Sequence, residues 1–149
     1  RLLEAYARAK PAFPASWPLV VVGPAGWGPD VAPAADVVLA GAVEAGILSA
    51  LYTRARLLAY VPLEEGFGLP VVEAMSLGTP VVSSAVPSAD GAARAVDPKD
   101  VDSIADGLLA VATDDALRAS LVARGLDHSG RLTWAACAHS LAELWGSLL

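Results

Sequence analysis

The sequence predicts an α/β domain built on a doubly wound parallel sheet. Short apolar runs rich in valine alternate along the chain with longer stretches in which apolar residues recur every three or four positions. The first pattern is typical of strands buried in a parallel sheet, and the second is typical of helices packed on its faces. Glycine or proline stands at most of the junctions, which places a turn between one element and the next.

Length and composition restrict the class of protein. A chain of 149 residues forms one domain with a real core, because a chain of this size buries roughly two thirds of its unfolded surface. Hydrophobic residues make up 55%, but charges or prolines interrupt every apolar stretch before the roughly 18 residues that a membrane helix needs. We therefore expect a soluble protein. The net charge of −6 without clustered Lys or Arg argues against a nucleic-acid surface.

The cysteine count and the first residues indicate the compartment of the protein and whether the chain is part of a longer one. Cys137 is the single cysteine, so an internal disulfide and a cysteine-rich metal site are excluded, and a reducing compartment is favoured. The chain opens at Arg1 within helix-like sequence, without an initiator Met or a secretory signal. We interpret it as a cytoplasmic fragment of a longer protein, with contact to a membrane left open for the missing part.

The first half of the chain alternates helix and strand. Residues 2–9 have helical spacing and end at Pro11, and a β-branched run at 19–22 predicts a strand buried on both faces. Gly23 follows this strand, and Gly41 lies near the end of a short strand at 37–39. Both glycines thus lie at strand carboxyl ends, where open α/β sheets bind ligands. We interpret Trp27, in the intervening loop, as a packing residue.

The stretch 62–84 contains the features that predict a ligand-binding site. A helix at 47–54 leads into a buried strand at 57–61, and Gly66 and Gly68 then form a loop that can turn tightly and approach a ligand closely. Pro70 suits the first position of a helix, so free N–H groups around residues 68–72 should point outward and form an anion site suited to phosphate. Gly78 ends this helix, and a strand follows at 80–83.

Two carboxylates flank this loop, Glu65 before it and Glu73 about one helical turn into the helix, in the spacing E-x7-E. A carboxylate only accepts hydrogen bonds, and its two oxygens match the paired hydroxyls of a ribose or a hexose. Acids on either side of an anion-binding helix start suit a ligand with phosphate in its middle and sugars at both ends. A nucleotide sugar is such a ligand. Glu64 is adjacent, but we expect it to be solvated.

The last third of the chain predicts an edge strand and three helices. Residues 95–96 form the strand, and Asp100, Asp114 and Thr133 are the expected N-caps of helices reaching about residues 112, 125 and 148. His128 and His139 lie far from any acidic or cysteine cluster with metal spacing, so we assign both to surface or helix packing and expect no zinc. We interpret Ser83 and Ser84 as strand-end residues, and the acids Asp97, Asp100, Asp102 and Asp106 as a cap and a solvated helix face.

The motif EGFGLPVVEAM at 65–75, followed by GTPVV at 78–82, resembles the signature of the retaining glycosyltransferases of family four. Those enzymes have the GT-B architecture of two Rossmann-like domains. The likeness continues through nearly the whole chain, in LLEAYAR, PLVVVGPAGWG, LSALYTRAR, VDPKDVDSIADGLL and LTW. It corresponds only to the C-terminal, donor-binding half of such an enzyme, and the first strand of that half is not among these residues.

The resemblance implies a function. It implies transfer of a hexose, of mannose or glucose type, from a nucleoside diphosphate sugar with retention of anomeric configuration and without a metal or other cofactor. Glu65 would contact hydroxyls of the transferred sugar as the catalytic residue, and Glu73 would accept hydrogen bonds from the ribose. Further donor contacts would come from the following residues: Gly66, Phe67, Gly68, Leu69, Pro70, Val72, Gly23 and Gly41.

The chain also departs from the resembled family. The segment 85–93 is shorter and lacks the usual Pro-Glu pair, and the basic residues that the family places against the phosphates would precede Arg1. The acceptor-binding domain would also lie in the missing part, so we expect the isolated chain to be inactive and its sheet to be interrupted where the first strand would stand. A non-catalytic nucleotide or sugar binding module on the same fold remains the alternative.

Overall fold

The structure, a computed structural model, describes residues 1–24 and 36–148. Trp27 therefore lies outside the described residues. These ranges contain five strands: β1 Leu19–Val22, β2 Val37–Gly41, β3 Leu58–Tyr60, β4 Val81–Ser83 and β5 Arg94–Ala95. The helices are α1 Leu2–Ala9, α2 Ala45–Arg54, α3 Leu69–Ser76, α4 Val101–Thr113, α5 Asp115–Arg131 and α6 Trp134–Gly146, and short 3-10 turns span Lys10–Ala12 and Pro87–Ala89.

The described strands pair in parallel, but they form two sheets instead of one. β1 pairs with β2, and separately β3, β4 and β5 lie side by side in that order. The alternation of strands and helices confirms the predicted α/β class with parallel pairing. The expected interruption is also observed, because no described strand joins the β1–β2 pair to the three-stranded sheet.

Two apolar clusters hold the elements together. The first joins buried side chains of α1, α4 and α5 to both sheets, and Leu19 of β1 and Ala59 of β3 pack against it. The second lies beneath α3 and includes Val71, Met75 and Val81. Because β4 contributes to both clusters, all three of its residues are buried. The three-stranded sheet is thus the well-covered half of the fold.

The prediction that the strand at 19–22 is buried on both faces is wrong. Side chains along β1 alternate between half-buried and exposed, and Val20 and Val22 are 37% and 36% exposed. In β2, Val38 and Leu39 are both 49% exposed. The inward side chains meet the first cluster, whereas the outward ones stay uncovered by the part of the chain that the structure describes. The strand at 57–61, predicted as buried, is only half-buried in β3, which is an edge strand of its sheet although its side chains pack against both clusters.

Three helix starts that were predicted from capping residues are confirmed, whereas one predicted helix end is wrong. Asp100, Asp114 and Thr133 each accept a hydrogen bond from a backbone N–H two or three residues later, which confirms the three predicted caps. The helix expected to end near Gly125 instead continues to Arg131. A Cβ at Gly125 would lie 3.0 Å from Cγ of Met75. The glycine therefore marks the close approach of α5 to α3 and does not end the helix.

The last helix, α6, contributes no buried residue. Its apolar stripe faces solvent, with Trp134 91% and Trp145 72% exposed. Nε2 of His139 lies 3.3 Å from Oε1 of Glu143, one turn later on the same helix. Within the described ranges, no helix combines the length and the apolar character needed to cross a membrane.

Candidate functional site

The glycine loop, residues 65–69, leads from the end of β3 into α3. Gly68 is the N-cap of α3 and has a left-handed backbone with φ of +94°, a conformation that favours glycine. Leu69 is the first helical residue and Pro70 the second, so the helix begins one residue earlier than predicted. Pro70 still lies in the first turn, where its missing N–H leaves no carbonyl unpaired.

The two glycines of the loop differ in what they do. Gly66 has an ordinary backbone conformation, and a Cβ placed on it would meet nothing within 4 Å. A Cβ on Gly68 would lie 2.7 Å from Oγ of Ser88 and 3.2 Å from Cγ2 of Val86. The tight turn that was expected of both glycines therefore occurs only at Gly68. Protein atoms, those of Ser88 and Val86, leave no room for a side chain there. Gly66 leaves open space beside the loop.

Ser88 holds the loop from its inner side. Its N–H donates to the Phe67 carbonyl at 3.0 Å, and its Oγ donates to the Gly68 carbonyl at 2.8 Å. The carbonyl of Ser88 in turn lies 2.9 Å from Nε2 of His128, on α5. Two successive carbonyls of the loop are thus bound on the protein side, and both Ser88 and His128 are buried.

Sequence reasoning assigned no function to Ser88, in the shortened segment 85–93. These contacts are between residues 20 and 40 positions apart in the chain, so no local pattern could have indicated them. The segment supports the glycine loop even though it lacks the Pro-Glu pair. For His128 the assignment to helix packing is confirmed, and His139 is an exposed surface residue as expected.

Glu65 is exposed, and both of its carboxylate oxygens have partners. Tyr60, the last residue of β3, donates its hydroxyl to Oε2, and the Gly66 N–H donates to Oε1 at 2.9 Å. The Tyr60 hydroxyl is the main cause that lowers the pKa of Glu65, helped by the backbone N–H groups of Gly66, Phe67 and Gly68. The same hydrogen bond, with some burial, raises the pKa of Tyr60 to about 12.

Glu73 also lies against a tyrosine. The Tyr52 hydroxyl, on α2, donates to Oε2 of Glu73 at 3.4 Å, which is long for such a bond. Burial and the negative charge of Glu73 raise the pKa of Tyr52 to about 12. The two side chains share a small groove between α2 and α3, lined by Ala45, Leu48, Ser49, Tyr52, Glu73, Ser76 and Leu77.

Both acids, Glu65 and Glu73, are exposed. Glu73 lies at the outer surface because the buried positions of α3 are Val71, Ala74 and Met75, on the opposite side of the helix, and Glu65 lies in the loop before that helix. Phe67 and Leu69 are 43% and 62% exposed, so the loop also carries two uncovered apolar side chains. Val72 is half-buried. The loop and helix start therefore form an open surface with both acceptors and apolar groups.

Gly23 and Gly41 are brought together at the carboxyl ends of β1 and β2. The Gly23 N–H donates to the Gly41 carbonyl at 2.9 Å, and both residues have positive φ, of 132° and 64°. A Cβ on either would meet nothing within 4 Å. Among the described residues no hydrogen bond joins this pair to the glycine loop, so the structure does not link the two predicted parts of the site directly.

In the described ranges no cluster of metal-binding side chains is found, and no basic side chain makes a hydrogen bond to the loop. No three His, Cys, Asp or Glu side chains there lie close enough to share a metal ion. No Arg or Lys side chain there donates to residues 65–69. Several basic side chains bind elsewhere: Arg1 to the Pro98 carbonyl, Arg8 to Asp102, Lys10 to Asp36, Arg56 to Asp115, Arg124 to the Gly91 carbonyl and Arg131 to Asp127.

Comparison with known proteins gives consistent relatives. The family model described as glycosyl transferases group 1 matches residues 1–114. The O-antigen chain mannosyltransferase B of Escherichia coli is 37% identical over 150 residues, which cover 91% of this chain and 39% of that protein. A D-inositol 3-phosphate glycosyltransferase of Corynebacterium aurimucosum is 33% identical over 108 residues, covering 68% of this chain and 26% of that protein.

A solved structure is also similar. The sucrose-phosphate synthase of Thermosynechococcus elongatus matches with a TM-score of 0.63 and 28% identity. The match covers 76% of this chain and 30% of that one. In each of these three cases the chain spans less than half the length of the protein that it matches.

Proposed function

The chain belongs to the glycosyl transferases group 1 family and has the Rossmann-like fold of one GT-B domain, and from this premise we propose that it is the donor-binding part of a retaining hexosyltransferase. Its substrate in this proposal is a nucleoside diphosphate sugar. The names of the similar proteins, two of which specify mannosyl or glycosyl transfer, support a sugar donor.

The observation that carries the proposal is the pairing of an anion-suited loop with two oriented acids. The carbonyls of Phe67 and Gly68 are bound on the inner side by Ser88. In the first turn of α3 Pro70 has no N–H and the Val71 N–H donates to the Gly68 carbonyl, so the Leu69 N–H is the helix-start donor left for a ligand among the described contacts. Such a helix start attracts the phosphates of a ligand. Glu65 and Glu73 then supply acceptors for hydroxyl groups on either side of the phosphates.

In this proposal Glu73 binds the ribose diol and Glu65 binds hydroxyls of the transferred hexose. Bond cleavage leaves additional negative charge on the departing diphosphate, which the N-terminus of α3 stabilises with about half an elementary charge. The donor site needs no metal ion in this mechanism, which predicts that chelators leave donor binding unchanged. Retention of configuration remains a prediction, tested by the anomeric form of the product.

The ribose assignment can be tested by titration calorimetry with GDP and UDP. Glu73→Gln should weaken the affinity for the matching nucleotide about tenfold, because the amide replaces one acceptor oxygen with a donor. Glu64→Gln is the matched control, since Glu64 is exposed and has no part in the proposed site. Unchanged affinity in Glu73→Gln would remove the ribose assignment, and wild-type protein that binds no nucleotide or nucleotide sugar would contradict the donor site itself.

A binding module without catalysis is the second candidate function. It is favoured by one observation: no described Arg or Lys side chain donates to the glycine loop. Among the described groups, only the start of α3 would then compensate the negative charge of a leaving diphosphate. We therefore expect the 149 residues by themselves to transfer no sugar. If the first proposal is correct, a longer protein that also carries an acceptor domain should transfer it, and if the chain is a binding module it should not. Transfer by the purified chain would contradict that expectation, and a parent protein that binds donor without turnover would favour the module.

A further inference from the structure

The backbone of Tyr60 is held in the three-stranded sheet, and its side chain extends to the candidate site. It is the last residue of β3, it lies opposite Ser83 in the register with β4, and its carbonyl accepts the Ser84 N–H at 3.2 Å. Its hydroxyl donates to Oε2 of Glu65, which follows five residues later. Glu65 itself stands in an exposed turn. An anchored phenol therefore holds a carboxylate that no packing would otherwise fix.

We propose that Tyr60 is a positioning residue that holds Glu65 with its free acceptor sites turned toward the hexose of the donor. This inference rests on the proposed function for the identity of the ligand, but not for the contact itself. Neither the family likeness nor the E-x7-E spacing indicated a part for Tyr60.

The number of acceptor sites supports this role. A carboxylate has about four of them, and in Glu65 the Tyr60 hydroxyl and the Gly66 N–H each occupy one on a different oxygen. The N–H groups of Phe67 and Gly68 also act on this carboxylate, but neither makes a hydrogen bond of ordinary geometry to it. About two acceptor sites therefore remain for a pair of neighbouring sugar hydroxyls. An exposed glutamate otherwise samples several rotamers and loses that freedom on binding, so holding it beforehand favours the complex.

The hydrogen bond also keeps the acid in the form that the ligand needs. It lowers the pKa of Glu65, so the carboxylate remains ionised and accepts without donating. Tyr52 offers an internal comparison, because it donates to the other acid, Glu73, at the longer distance of 3.4 Å. Tyr60→Phe and Tyr52→Phe each delete one hydroxyl beside one acid, which makes them matched variants.

The first measurement needs no ligand. Glutamate labelled with ¹³C at its side-chain carboxyl allows the Glu65 titration to be followed by NMR in wild type, Tyr60→Phe and Tyr52→Phe. The pKa of Glu65 should rise in Tyr60→Phe and stay unchanged in Tyr52→Phe. An unchanged Glu65 titration in Tyr60→Phe would overturn the proposal, whatever the protein binds.

The second measurement separates the hexose from the nucleotide. GDP-mannose and UDP-glucose are titrated against GDP and UDP alone, and the better-bound pair is used for the variants. Tyr60→Phe should weaken the affinity for the nucleotide sugar about tenfold and leave the affinity for the nucleoside diphosphate unchanged. In a Glu65→Ala background Tyr60→Phe should have no further effect, because a positioning residue acts only through its partner.

Other outcomes count against the role of Tyr60. Equal weakening of the nucleotide sugar and the nucleoside diphosphate would show a general disturbance of the loop, and full affinity for the nucleotide sugar would show that Glu65 needs no positioning. Wild-type protein that binds none of the four probes would overturn the proposed function and the role toward the hexose with it. The NMR titration would still decide whether Tyr60 holds the carboxylate.

Discussion

The β1–β2 pair and the three-stranded sheet each contain a valine-rich strand, but the surroundings of the two strands differ. β1 and β4 are both valine-rich and parallel-paired, yet Val22 in β1 is 36% exposed whereas Val82 in β4 is fully buried. The difference arises because β4 has a strand on each side and an apolar cluster on each face. A β-branched run thus predicts a strand, whereas its burial depends on the elements that cover it.

The largest expected effect is at the start of α3, in the covered half. Gly68→Val places a side chain at a φ of +94° and within 2.7 Å of Ser88 Oγ, so it should cost on the order of 3 kcal/mol and abolish donor binding. Gly41→Val, in the open half, has a positive φ but no crowding and should cost about 1 kcal/mol. Urea unfolding and calorimetry measure both effects. Wild-type donor binding in folded Gly68→Val would refute the loop assignment.

A smaller effect is expected from shortening one valine in each sheet. Val82→Ala should destabilise the protein by about 2 kcal/mol, because it removes buried methyl groups and leaves a cavity. Val38→Ala, at a site 49% exposed, should change the free energy of unfolding by no more than about 0.5 kcal/mol. Equal losses in urea unfolding would show that the outer face of the β1–β2 pair is covered in solution.

The smallest expected effect is the pH dependence that Tyr60 and Glu65 give to the free energy of unfolding. Folding raises the pKa of Tyr60 to about 12, so its contribution to stability is complete below pH of about 10 and is lost as the pH rises toward 12. Folding lowers the pKa of Glu65 below its ordinary value of 4.5, so that contribution is present above this value and is lost as the pH falls.

Absorbance of the phenolate measures the alkaline part of this dependence. The native protein should have late-titrating phenols from Tyr52 and Tyr60, and each Tyr→Phe variant should remove one of them. If Tyr60→Phe leaves the titration near pH 12 unchanged, the hydroxyl of Tyr60 is free and its contact with Glu65 is absent in solution.

Local patterns predicted the elements and much of the loop. Helical spacing and capping residues indicated α4 and its start at Asp100, and the glycine and proline spacing indicated the start of α3 to within one residue. The support of the loop could not be predicted, because Ser88 and His128 come from distant segments and act through backbone carbonyls. Gly125 misled the prediction for a related reason, since a glycine at a helix end and a glycine between packed helices look the same in sequence.

The unpaired edges of β1 and β3 have a consequence for the storage of the purified protein. β1 pairs only with β2, and β3 only with β4, among the described strands, so each has one edge whose backbone N–H and C=O groups lack a partner strand. Unpaired edges beside exposed valines are templates on which another extended chain can add and extend a sheet from molecule to molecule. Intermolecular assembly at high concentration, well below the unfolding temperature, would then limit the shelf life of this protein in a purified solution.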